Sequence, residues 1–258
     1  MDARSRALLA PCPETVRPVT AVRPEGSWKA QALRALGSPG ALRVFDTPEL
    51  VQWLATFGLK VPERTLRRAL AEWESSGLVG RAARGLYLNG LASPLTLLEE
   101  AAPRLRQGAV VSLATVLGRA GALNNPTHWV TAVVPSDNSS RPVNELESES
   151  GSVFRFASLR HDLFLAPTDP LARDAFQPYA AVPTATPEKA LLDWLYLSSR
   201  GRGAERWPLP PSHDWDMSLL DGPRLDRLAT RLGLENELQQ FRQGLEAGPR
   251  IRIRRKMG

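Results

Sequence analysis

The stretch from Pro62 to Gly77, PERTLRRALAEWESSG, sorts its residues onto two opposite faces at helical spacing and admits little but an amphipathic helix. Leu66, Ala69, Leu70 and Trp73 form one apolar stripe, while Arg64, Arg67, Arg68 and Ala71 repeat the same i, i+3, i+4, i+7 spacing on the other side. The arginines therefore face outward together. They occupy the first half of the helix, where acids would complement the helix dipole, so the dipole does not explain them.

What surrounds this helix narrows the reading further. Upstream lie a helical run WKAQALRAL and a second, DTPELVQWLATFG, in which Thr47 is the expected N-cap, Pro48 suits the first helical position, Glu49 favours the positive end and Gly58 stops the helix. The short turn LKVP leads to the third helix. The periodicity predicts helical structure throughout Gly26 to Trp73. Downstream, GLVGRAARGLYLNG predicts a tight hairpin of Leu78–Val79 against Leu86–Leu88, with Arg81 and Arg84 at its tip between Gly80 and Gly85. Three short helices, a basic outward face and a basic hairpin are the order of a winged helix-turn-helix. In that fold the first half of the third helix enters the major groove, where Arg takes guanine edges or clamps phosphates. The expected DNA-contacting residues are Arg64, Thr65, Arg67 and Arg68 on the helix and Arg81 and Arg84 on the wing. The competing reading is a solvated charged face, and the conjunction of elements favours DNA over it.

Charge agrees with this reading without proving it. The chain carries 33 Lys and Arg against 27 Asp and Glu, a formal +6, the balance of a protein that displaces counterions from polyanions. An Arg-rich composition also follows from GC-rich coding alone.

Beyond about Asn89–Ser93 the pattern changes to mixed α and β. HWVTAVVP (His128 to Pro135) and VFRFAS (Val153 to Ser158) read as strands, with LFLA (Leu163 to Ala166) as a short third. Helical patterns return at Thr186–Leu197, Pro223–Leu232 and Glu235–Leu245. Pro135–Ser152 has the composition of a surface loop joining strands, and Ser198–Asp214 that of a Gly- and Pro-rich loop whose tryptophan content predicts partial packing onto the body. The expected architecture is α+β: residues 1–25 a flexible arm, 26–90 a winged helix, 91–249 a mixed α/β domain with a small sheet that holds a protein partner, and 250–258 a basic tail. That tail alternates five basic residues with Ile251 and Ile253, as an arm along a DNA backbone or simply a solvated end.

Enzyme signatures are sparse. There is no phosphate-binding GxxxxGK[ST] loop, no GxSxG elbow and no HExxH. His128, His161 and His213 are far apart, and Asp137 is not followed by the Glu-x-Lys couple a nuclease strand needs. Lys189 and Asp193, one helical turn apart in an almost wholly apolar run, are expected to pair inside the core rather than to catalyse. No cofactor, metal or catalysis is expected. The lone Cys12 has no disulfide or CxxC partner, no run reaches the ~18 apolar residues of a membrane span, and the N-terminal stretch lacks a signal-peptide core, so the expectation is a cytoplasmic protein with no membrane partner.

Several runs are similar to the AbiE-type antitoxins, the AbiEi regulators of two-gene toxin-antitoxin systems. They are FDTPELVQWL (Phe45 to Leu54), TLRRALAEWESSGLVGRAARGLY (Thr65 to Tyr87), VVSLATVLGRAGAL (Val110 to Leu123) and TPEKALLDWLYL (Thr186 to Leu197), collinear over most of Phe45–Leu197. The last is the most telling. The resemblance implies a winged helix that represses its own operon, a C-terminal domain that counters a nucleotidyltransferase-like toxin, and a monomer in solution that places several copies on operator repeats in double-stranded DNA. The arm before Gly26 and the ending RIRIRRKMG depart from the family pattern. The alternatives are a regulator whose C-terminal domain senses a small ligand and a DNA-processing nuclease.

Overall fold

The computed structural model describes residues 27–125, 128–135, 144–147, 151, 153–166, 168–178, 180–199 and 207–246, with the backbone alone for 144–147. The expected N-terminal arm, the basic tail and Asp137 lie outside these residues. The chain is a mixed α+β protein with two small sheets.

The first unit begins with α1 (Trp28–Leu36), capped by the Ser27 hydroxyl. A short strand β1 (Val44–Asp46) follows, where the sequence predicted continuous helix. Val44 and Phe45 are β-branched and aromatic, and pairing to a neighbouring strand overrides the local helical pattern. Helix α2 (Thr47–Thr56) starts one residue earlier than expected. Its N-cap is Asp46, not Thr47: the Asp46 carboxylate accepts from the Glu49 N–H at 2.8 Å, and the Glu49 side chain reaches back to the Asp46 N–H, completing a capping box. Helix α3 (Glu63–Ser75) buries Leu66, Ala69, Leu70 and Trp73, the stripe read from sequence. Fully burying each large apolar side chain stabilises by roughly 1.5–3 kcal/mol.

The hairpin that follows, β2 (Val79–Ala83) and β3 (Leu86–Asn89), joins β1 in a sheet ordered β1-β3-β2, antiparallel throughout. It turns at Arg84–Gly85, where Gly85 has φ 75, the left-handed region a side chain disfavours. The register slips between Arg81 and Ala83, so Ala82 is an extra, bulged residue. Both faces of this sheet are covered. Phe45, Val79 and Tyr87 pack with the helices of the first unit, whereas Ala82, Leu86 and, partly buried, Val44 and Leu88 pack with the core of the second.

The second unit holds α4 (Ala102–Leu105), β4 (Val110–Val111), α5 (Ala114–Arg119), β5 (Val130–Pro135), β6 (Asn144–Glu147), β7 (Val153–Leu159), α6 (Ala172–Ala175), α7 (Pro187–Ser199), α8 (Gly222–Leu232) and α9 (Glu235–Glu246). Its sheet is ordered β4-β5-β7-β6, with β5 and β7 parallel and the edge strands antiparallel to them. Two expectations are corrected here. The stretch assigned to a loop contains β6, which polar residues conceal because an edge strand need not alternate in hydrophobicity. Leu163–Ala166 is not a strand: a 3-10 turn at His161–Leu163 takes its first residue, and Leu163 and Leu165 are simply buried. Helix α7 is buried from Glu188 to Leu197 and touches α5, α6, α8 and α9, so it is the axis of this unit. The Thr186 hydroxyl accepts from the Lys189 N–H at 3.4 Å at its start.

Candidate functional site

Helix α3 is set by contacts on its inner side. Trp73 meets Trp28 of α1 at a centroid distance of 6.2 Å, and Leu66 and Leu70 are fully buried. With that face fixed, the 3.6-residue period leaves Arg64, Thr65, Arg67, Arg68 and Ala71 exposed. Glu63, Arg64, Arg67, Arg68 and Ala71 line one shallow open concavity. Two acids of the same helix are engaged elsewhere, Glu72 with Lys29 of α1 and Glu74 with Arg81 at 3.0 Å, whereas Glu63 pairs within the concavity with Arg67 one turn on. The Arg67 side chain is still 68% exposed, so an intrahelical pair in water is a weak tether that an incoming anion displaces. Lys60, in the turn before α3, is also exposed, and an isolated lysine carries no pattern by which the sequence singles it out.

The two hairpin arginines divide. Arg84 is exposed at the turn. Arg81 is not at the tip, as the sequence suggested, but inside β2 opposite Tyr87. Its guanidinium lies 5.7 Å from the Tyr87 ring centroid and pairs with Glu74, with 23% of the side chain exposed. The glycines misled: Gly80 lies within the strand and only Gly85 makes the turn.

The second unit contains a buried polar node. Lys189 and Asp193 form an ion pair within α7 at 1% and 2% side-chain exposure, and the Ser112 hydroxyl donates to Asp193 at 2.7 Å. Burial pushes the Asp193 carboxyl up, against the pull of the Lys189 ammonium and the Ser112 hydroxyl. Leu113, next to Ser112, has φ 58 and is fully buried, so the strand-to-helix turn after β4 is strained. Ser112 is itself fully buried, and these groups lock β4 to α7. His128, His161 and His213 do not converge: among the described residues no three His, Cys, Asp or Glu side chains are placed to hold a metal ion. No helix among them is long and apolar enough to cross a membrane.

No protein-family model matches the chain, and no curated protein does. Among solved structures, the crystal structure of the RV2827C protein from Mycobacterium tuberculosis is similar at 16% identity and a TM-score of 0.47, over 91% of this chain and 86% of that one. At that level it assigns neither family nor function.

Proposed function

We propose that this chain is a DNA-binding transcription regulator in which residues 26–90 act as a winged helix-turn-helix. In this reading α3 enters the major groove with Arg64, Thr65, Arg67 and Arg68, while Arg84 reaches the adjoining backbone and Arg81 holds the hairpin against α3. The observation that carries it is the exposure of three arginines on the first half of α3, backed by a fully buried apolar face. The resemblance to AbiE-type antitoxins supplies the rest of the proposal: the regulator binds repeats upstream of its own gene, and the unit beyond residue 91 holds a nucleotidyltransferase-like toxin. Catalysis has no part in it.

The test is fluorescence anisotropy of the full chain on a duplex from upstream of its own gene, across a salt series. Replacing Arg64, Arg67 and Arg68 with Ala is expected to leave the circular dichroism unchanged, weaken binding, and flatten the dependence of log K on log salt by about 0.9 for each phosphate that is no longer neutralised. Arg160→Ala, on the second unit, should change neither. Equal affinity and slope for the triple variant and the unaltered chain would refute the groove assignment. The antitoxin part is tested separately, by binding to the product of the adjacent gene.

A further inference from the structure

The arginines that α3 exposes in its first half are not equivalent. Among the described residues Arg64 and Arg68 have no ionic or hydrogen-bonded partner, whereas Arg67 pairs with Glu63. All of them line the same open concavity, and Glu63 lines it with them. The Glu63 side chain is 43% exposed, so both members of the couple reach whatever fills that space.

An acid is out of place on a surface that serves a DNA backbone alone. Phosphate oxygens are all acceptors and all negative, so a backbone asks only for cationic donors, which Arg64 and Arg68 supply. Glu63 cancels the charge of Arg67 and repels phosphates, so the couple adds no net attraction for a backbone. The helix dipole favours an acid in the first turn but is indifferent to the face that carries it. Glu63 stands on the face of the arginines.

The couple is bonded through one guanidinium nitrogen and one carboxylate oxygen, Arg67 Nη2 donating to Glu63 Oε1. A guanidinium has five N–H donors and a carboxylate about four acceptor sites, so most of each is left over. A set of donors thus stands beside a set of acceptors. In the major groove guanine presents two acceptors, O6 and N7, and its paired cytosine presents the N4 amino donor next to them. Adenine has an amino donor where guanine has O6, and sets like against like at the guanidinium fork.

We infer that Glu63 and Arg67 act as one unit that reads a G·C base pair, Arg67 taking guanine O6 and N7 and Glu63 the cytosine N4 amino group, while Arg64 and Arg68 hold the backbone. This inference rests on the DNA-binding reading of α3. Glu63 is then the residue that sets sequence preference, both by accepting from cytosine and by penalising indiscriminate backbone contact.

The experiment selects duplexes from a randomised pool with the full chain and sequences those retained. The unaltered chain is expected to enrich a motif with a G·C position. Glu63→Ala and Arg67→Ala should each lower discrimination at that same position about tenfold, the scale of one base contact, and leave the other positions as they were. Glu72→Ala removes an equal charge from α3, outside the concavity, and should leave the motif unchanged. The substituted side chains are exposed, so circular dichroism should match the unaltered chain. The same motif with and without Glu63, different positions relaxed by the Glu63 and Arg67 variants, or an equal effect of Glu72→Ala would each overturn the assignment and leave DNA binding standing. No enrichment of any sequence by the unaltered chain would overturn the DNA reading as well.

Discussion

Asn89 does more for this protein than its polarity suggests. It is fully buried at the end of β3, and its amide donates at 2.8 Å to the carbonyls of both Leu36 and Leu42 while its oxygen accepts from the Leu91 N–H at 2.9 Å. One side chain thus ties the end of α1, the lead into β1 and the exit of the hairpin. Asn89→Leu strands these groups, and each buried unsatisfied group costs about 1–3 kcal/mol; urea denaturation should register the loss as a lower midpoint at unchanged slope. Lys189 and Asp193 obey the same logic with full charges. Asp193→Ala is expected to destabilise by about 3–5 kcal/mol, because it leaves a buried ammonium unpaired. Replacing both, Lys189→Met with Asp193→Leu, should recover most of that loss, and a double variant no better than the single would contradict the pairing. Spacing alone made the pair legible, since i and i+4 on an apolar helix leave few other partners. Asn89 was not legible: nothing in the sequence places Leu36 and Leu42 beside it.

At the scale of elements, the hairpin departs most from the simple pattern. A wing with one wet face would show alternation, but Leu86, Tyr87 and Leu88 are consecutive and apolar, the signature of a strand covered on both sides. Tyr87 goes to the helices, and Leu86 to the core of the second unit. The bulge at Ala82 brings a small residue onto that second face. Leu86→Ala is therefore expected to cost about 2–5 kcal/mol, although it lies beside an exposed turn. Gly90, just past β3, is required for a different reason: a Cβ there would lie 2.8 Å from the Leu78 carbonyl oxygen. By contrast α3 was almost fully readable, because one face carries the large apolar residues and the other the arginines, and its period is short-range. Arg81 was misplaced because Gly80 resembles a turn residue, and only pairing with Leu88 shows that it lies within a strand.

Across the whole molecule the two units are joined by more than a linker. Arg43, from the approach to β1, pairs with Glu100 at 2.7 Å and donates to the carbonyls of Pro94 and Leu95; Arg104 of α4 pairs with Glu49 of α2 at 2.7 Å. With the sheet shared between both cores, unfolding in urea is expected as one transition, coincident by fluorescence and circular dichroism; two separated transitions would show the units to be independent. Burial alone would raise the Glu100 carboxyl, but the Arg43 hydrogen bond, the Leu97 N–H and the Arg43 charge outweigh it and hold it below the usual range. A depressed acid binds fewer protons folded than unfolded, so its stabilisation is present above the ordinary glutamate value of about 4.3 and is lost as pH falls through the lower folded value. Glu100→Gln should accordingly show a shallower loss of stability on acidification than the unaltered chain.

Short-range chemistry by itself determined the amphipathic third helix, its outward arginines and the buried character of α7, since periodicity acts within a few residues. Tertiary packing alone decided that Arg81 serves the hairpin, that Tyr87 and Leu86 go to two different cores, and that Trp129 and Trp207, distant in sequence, meet at Arg155. Those outcomes depend on which surfaces are brought together across scores of residues, and the free energy of burial has no local signature of the partner it selects.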